Sequence, residues 1–158
     1  MAEREKIDTD SAAMTAPFEV FPVGVVSKMD GDTRIEIYAR FEKALLGLDG
    51  FSHITVCYWF HQNDTAELRQ TLQVHPRKNE QNPLTGVFAT HSPARPNLLA
   101  LSPCKILRID GRFISIDEID ALDGSPVLDI KPYIPIDKLE TSEIKLPAWV
   151  NAPWNDTP

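Results

Sequence analysis

Twelve consecutive residues, Gly86-Val87-Phe88-Ala89-Thr90-His91-Ser92-Pro93-Ala94-Arg95-Pro96-Asn97, place an imidazole, a guanidinium and a carboxamide in one proline-bounded turn. A guanidinium held between prolines loses little freedom on binding. It suits a carboxylate or a phosphate through paired donors. The plainer alternative for Arg95 is a bond to a backbone carbonyl of its own loop. His61 and Gln62 form a second group, directly after the apolar run Ile54–Phe60. A strand end that turns polar lies at a sheet rim, where these side chains can reach a ligand or be satisfied by backbone. In the third group, Asp120-Ala121-Leu122-Asp123-Gly124, two carboxylates stand three apart in a turn. Carboxylates accept hydroxyl hydrogens and offset positive charge. An aspartate before glycine also caps turns.

Other chemistries are poorly served. The four histidines (53, 61, 75 and 91) make no close ligand pair, and Cys57 and Cys104 stand apart, so no metal site is expected. No strand leads into G-x-G-x-x-G and no G-x-x-x-x-G-K is present, which argues against a Rossmann or P-loop nucleotide site. A formal net charge of -7 offers no basic face for holding nucleic acid by bulk electrostatics. An RNA would have to dock on a local patch, or on one built across subunits. Arg69, His75, Arg77, Lys78 and Arg95 form the densest such region. Two cysteines point to reduced thiols and a cytoplasmic compartment, with Cys57 in the core. No segment approaches the roughly 18 apolar residues of a membrane span, and the N-terminus lacks a stretch of signal-peptide type.

The elements that must position these groups are mostly strands. Residues 1–16 are polar, charged and aperiodic, and read as a disordered leader. Asp30-Gly31 and Asp110-Gly111 suit tight hairpin turns. Val23–Met29 would then face Thr33–Tyr38, and Lys105–Ile109 would face Arg112–Ile116. Phe41, Ala44, Leu45 and Leu48 follow a helical stripe over Phe41–Leu48, ended by Asp49-Gly50. Ile54–Phe60 reads as a central strand buried on both faces. Between Asp64 and Val74 a capping box of Asp64 with Glu67 competes with strand-like alternation, and a short turn followed by a strand is favoured. Leu84–Thr90, Leu98–Leu101 and Val127–Ile130 supply further strands. The tail over 141–158, with Trp149 and Trp154, is expected to wrap the surface or a neighbouring subunit. The expected fold is mainly β: a small single-domain barrel over 17–140 with one or two short helices.

Four segments resemble, in order, the tRNA N6-adenine methyltransferase family known as TrmO or TsaA-like. They are Leu48–Gln62, Gly86–Asn97, Ile119–Pro126 and Val127–Pro135, within residues 20 to 137. The resemblance implies a β-barrel, a homodimer and a non-Rossmann site for S-adenosyl-L-methionine. It also implies cofactor contacts at His61, Gln62, His91, Leu101, Asp120, Ala121, Leu122 and Asp123. Arg95 and Asn97 would bind substrate, for which the family's longer bacterial members use threonylcarbamoyl-adenosine beside the tRNA anticodon. No catalytic residue is singled out; His61, Asn97 or Asp123 could accept a hydrogen bond from the attacking amine.

This chain departs from the family pattern in three places. His91 stands where the family usually has arginine. Arg95-Pro96-Asn97-Leu98-Leu99-Ala100 replaces Arg-Pro-Asn-Pro-Ile-Gly. The Pro-Arg-Gln step of longer members has no counterpart near the Val26–Gly31 hairpin. The rival expectation is therefore a non-catalytic S-adenosylmethionine-binding or dimeric regulatory module.

Overall fold

Two glycine turns start the barrel. Asp30 and Gly31 both adopt left-handed φ (52° and 84°), the conformation a two-residue hairpin loop requires. They join β1 (Gly24–Met29) to β2 (Asp32–Ile37). Gly111, at φ 55°, turns the long β6 (Leu99–Asp110) into β7 (Phe113–Ile116). Both expected hairpins are present. The computed structural model describes residues 17–135 and 144–151.

β3 (His53–Trp59) and β8 (Pro126–Pro132) complete a closed, antiparallel, six-stranded barrel in the order β1-β2-β7-β6-β3-β8. β8 returns to β1 through only two residue pairs, Gly24 with Val127 and Val25 with Pro126. An open apolar pocket beside this seam is lined by Val23, Ile37, Phe41, Leu48 and Ile130. The small β4 (Gln73–Val74) and β5 (Thr85–Gly86) form a separate two-stranded ribbon.

Alternation along the strands fills the barrel. Ile35, Ile54, Val56, Ile114, Ile116 and Val127 point inward, each with at most 1% of its surface exposed. Ile119 and Ala121 join the same cluster from the loop before β8. Replacing any one of these isoleucines by alanine would cost about 2–5 kcal/mol, a large share of a domain's stability.

Several sequence expectations need correction. β3 is buried on one face only. Ile54, Val56 and Tyr58 point inward, while Thr55, Cys57 and Trp59 are half-buried on the outside. A closed barrel has an interior and an exterior, so a continuous apolar run there does not mean two buried faces. Cys57 consequently lies outside the core, and Cys104 is the buried thiol. The expected helix is a 3-10 segment, Ala39–Leu45, followed by a 3-10 turn, Leu48–Gly50. Gly47, at φ 85°, breaks the coil before Asp49-Gly50 is reached. Leu84–Thr90 is strand only at β5, then a 3-10 turn from Val87 to Ala89. The chain turns there to bury Val87, whose N–H bonds the Leu72 carbonyl at 2.9 Å. The strand expected at Leu98–Leu101 is the start of β6.

The segment from Asp64 to Val74 holds α1 (Ala66–Gln70), capped by Thr65 rather than Asp64, and then β4. Thr65 Oγ1 accepts from the Leu68 N–H at 3.2 Å. The leader 1–16 lies outside the described residues, as do 136–143 and 152–158, including Trp154. Of the tail, a 3-10 turn spans Ala148–Asn151, and the Val150 carbonyl accepts from Arg77.

Burial, with smaller contributions from Asp117 and Glu118, pushes the Cys104 thiol up to about 11. A raised thiol pKa keeps the thiolate scarce below that pH, and the thiolate is the reactive form. Cys104 should therefore resist iodoacetamide at pH 8 and react only on unfolding. Mass spectrometry of peptides alkylated in buffer and in denaturant checks this.

Candidate functional site

β3 delivers the first wall of the site. Tyr58 is its last inward-facing residue, and Phe60 hands its N–H to the Leu98 carbonyl at 2.9 Å. The chain then leaves the sheet and bends into a 3-10 turn, His61–Asn63. The imidazole and amide thus stand at the barrel rim, where the sequence puts them.

The opposite wall is the loop between β7 and β8. Ile119 and Ala121 sink into the core, which leaves Asp120 and Leu122 facing outward between them. Gly124, at φ 77°, turns the loop back, and its N–H bonds Val26 O at 2.8 Å. Lys28 braces the same loop twice. Its N–H reaches Asp123 Oδ1 and its Nζ reaches the Ile119 carbonyl, both at 2.8 Å. The β1–β2 hairpin therefore supports this wall, through a lysine that carries no motif.

A small cleft lies between the walls. Tyr58, Phe60, His61, Gln62 and Asn63 line one side; Asp120, Ala121, Leu122 and Ser125 line the other. Five of the sequence candidates meet here: His61, Gln62, Asp120, Ala121 and Leu122. Burial raises the Tyr58 hydroxyl above its ordinary pKa, the Ser102 hydrogen bond opposes this, and the Asp120 charge adds to it. Tyr58 therefore stays neutral in its buried setting, with the Ser102 hydroxyl 3.4 Å away.

The other candidates stand elsewhere. Asp123 is committed to Lys28 through one carboxylate oxygen. Leu101 projects from the outer face of β6, opposite Cys57, and is 69% exposed. His91 and Asn97 are exposed on the loop between β5 and β6. Arg95 takes the plainer of its two readings: Nη1 donates to Thr90 O and Ser92 O, both at 3.2 Å. It folds its own loop into a compact bend, helped by the Ser92 and Ala94 N–H bonds to Thr90 Oγ1 and Ser92 Oγ.

Tyr58, Phe60, Asn63 and Ser125 are cleft residues that the sequence reading passed over. Nothing in the continuous apolar run Ile54–Phe60 set Tyr58 apart from its neighbours. Nothing in the sequence marked Lys28. Among the described residues no group of histidine, cysteine, aspartate and glutamate is arranged to hold a metal ion.

The model for the tRNA-methyltransferase O N-terminal domain matches residues 18–138, which include the whole barrel and both walls of the cleft. The chain belongs to this family. Its TrmO-type barrel is 48% identical over 116 residues to a probable S-adenosyl-L-methionine-binding protein of Pyrococcus horikoshii, covering 73% of this chain and 82% of that one. It is 42% identical over 101 residues to the human tRNA (adenine(37)-N6)-methyltransferase, covering 64% of this chain and 22% of the relative. A crystal structure of TrmO superposes with a TM-score of 0.63 at 28% identity, covering 82% of this chain and 63% of that one. A second, from Pseudomonas aeruginosa, superposes at 0.61 and 27%, covering 79% and 60%. This TrmO-family chain thus spans about three fifths of the solved TrmO chains.

Proposed function

We propose that this chain is an S-adenosylmethionine-dependent methyltransferase that modifies N6 of an adenine in tRNA. The observation that carries the reading is the convergence of His61 and Gln62 with Asp120–Leu122 on one cleft, in a barrel of the TrmO family. The donor set fits the cofactor. Asp120 can accept ribose hydroxyls, the half-apolar walls of Tyr58, Phe60 and Leu122 suit a purine, and Gln62 can both donate and accept.

S-adenosylmethionine, when bound, supplies a sulfonium methyl for in-line displacement. The protein's part is alignment and exclusion of water, which can account for roughly 7–11 kcal/mol of a barrier. The acceptor nitrogen carries a delocalised lone pair and must lose a proton as its new N–C bond forms. Of His61, Asn97 and Asp123, His61 lines the cleft, and its imidazole can take that proton.

The TrmO resemblance implies a homodimer, and a second copy could extend this small cleft. Its free volume is about 30 Å³, and a single water needs at least roughly 10–15 Å³ measured this way. A nucleoside bound between these walls would need the cleft to widen or a further wall to be added. A ready surface lies on the outside of β6, where Leu99, Leu101 and Leu107 are 43%, 69% and 60% exposed. A second copy seated there would also bring Leu101 into play. Among the described residues no helix is long and apolar enough to cross a membrane, and a cytoplasmic location fits a tRNA substrate.

Calorimetry with S-adenosylmethionine, paired with methyl incorporation into a tRNA pool, tests the proposal. Micromolar binding and transfer, both reduced at least tenfold in His61→Ala, are expected. Binding without transfer to any tRNA would instead favour the non-catalytic module. Absent binding that His91→Arg restores would mean a barrel whose cofactor site has decayed.

A further inference from the structure

Trp59, Asp64 and Arg69 form one assembly beside the cleft, and none of them belongs to the resemblance's site set. Trp59 ends β3 on its outer side, immediately before the turn that carries His61 and Gln62. Its indole Nε1–H donates to Asp64 Oδ2 at 3.1 Å, so the carboxylate closes a ring of chain around residues 60–63. The other carboxylate oxygen accepts from Arg69 Nε at 2.6 Å. Arg69 then lies with its guanidinium carbon 5.2 Å from the centre of the Trp59 ring. A remaining nitrogen, Nη1, donates to the Pro96 carbonyl at 3.4 Å.

Local structure explains how these residues meet. Thr65 caps α1 at Ala66, and five residues of helix put Arg69 in its last turn. From there its side chain folds back over Asp64. Both hydrogen bonds to the carboxylate hold the Asp64 carboxyl below its ordinary pKa, that from Arg69 first and that from Trp59 second. An ion pair this exposed adds little to stability. Its informative property is its position. One guanidinium is bound to the base of the His61–Gln62 turn and to the loop that carries His91, Arg95 and Asn97.

We propose that Arg69 is a positioning residue, which sets the His61–Gln62 turn and the 90–97 loop at a fixed spacing through Asp64, Trp59 and the Pro96 carbonyl. This rests on the methyltransferase reading, because only a reaction across the two segments needs that spacing. Only a planar fork can hold a carboxylate, lie on an indole and reach a third acceptor at once. Lysine, a point donor on a flexible stem, cannot.

It also removes Arg69 from the pool of cations facing RNA. In the absence of a direct contact, Arg69 substitutions should act on the alignment of bound reactants more than on tRNA capture.

The test compares the parent with Arg69→Lys and Trp59→Phe, which keeps the ring and loses only the indole donor. Each is assayed for methyl transfer with tRNA and S-adenosylmethionine varied separately, and for thermal unfolding. Expected are a kcat at least tenfold lower in Arg69→Lys and several-fold lower in Trp59→Phe. The tRNA KM should change less than threefold, and the unfolding midpoints should match the parent's. The Trp59 indole N–H resonance, assigned by its loss in Trp59→Phe, should shift when S-adenosylmethionine is added to the parent and stay still in Arg69→Lys. An unchanged kcat in Arg69→Lys overturns the assignment, as does a change confined to tRNA KM, which would make Arg69 an RNA contact. A fall in kcat that follows the loss of folded protein overturns it too. A parent that neither binds S-adenosylmethionine nor transfers methyl overturns the methyltransferase reading instead, and the two failures are told apart on the parent alone.

Discussion

Gly24→Ala will lower the unfolding free energy by about 3 kcal/mol, the upper part of the range for forcing one methyl into a close-packed site. A methyl carbon at Gly24 would stand 2.4 Å from Glu36 O and 3.2 Å from both Glu36 C and Ile37 Cα. All three are backbone atoms of β2, so no rotamer change relieves the contact. Gly24 is also one of only two β1 residues that pair with β8. To admit the methyl, β1 must move off β2 or off Val127, and either movement opens the barrel where it is least secured. Urea denaturation measures the effect. Gly50→Ala is the control, with nothing within 4 Å of its added methyl, and should stay within about 1 kcal/mol of the parent. Equal effects at the two glycines would show that the seam is not the weak point.

Arg95→Ala will reduce kcat/KM for methyl transfer about 30-fold while leaving the barrel intact. Hydrogen bonds from a charged donor contribute about 1.5–3 kcal/mol. Among the described residues, Arg95 supplies the side-chain donors to Thr90 O and Ser92 O in a half-buried bend. Without it the loop spends most of its time in other conformations, and affinity falls by the fraction still competent. A loss of about 2 kcal/mol corresponds to that 30-fold change. The two readings of Arg95 diverge in what else moves. On the proposed assignment of His91 to the cofactor and Asn97 to the substrate, a loop brace weakens S-adenosylmethionine binding and tRNA KM together. A direct contact to the substrate would change tRNA KM and leave cofactor affinity untouched. Calorimetry on the variant separates these cases.

The Trp59–Asp64–Arg69 assembly and the Arg95 bend fasten the 90–97 loop at separate points. Arg95 ties the loop to itself, and Arg69 ties it to the end of β3 through Pro96. Two arginines that look like available cations in the sequence are thus occupied with backbone carbonyls and a carboxylate. That leaves a chain of net charge -7 with fewer exposed cations for RNA than its basic residues imply.

Much of the fold was legible without coordinates, wherever the information is local. Asp-Gly pairs tolerate left-handed backbone, which Asp30, Gly31 and Gly111 adopt, so the β1–β2 and β6–β7 hairpins follow from their turns. Period-two alternation names the inward isoleucines of β2 and β7. The switch from Phe60 to His61-Gln62 marks a strand's end at a rim. By itself, then, the sequence determined a mainly β domain, the TrmO resemblance and five residues of the cleft.

What it left open depends on partners distant in the chain. Cys57 and Cys104 look alike in sequence, and only closure of the barrel decides which one is inside. Val87 is buried and Phe88 is 83% exposed because a 3-10 turn forms where strand propensity is just as good. Lys28 meets residues 119 and 123 across more than ninety positions, and Arg69 reaches Pro96 across 27. Hydrogen bonds of that kind follow from which strands become neighbours. Side-chain type limits what a residue can bind, and the tertiary structure decides which of its possible partners arrives first.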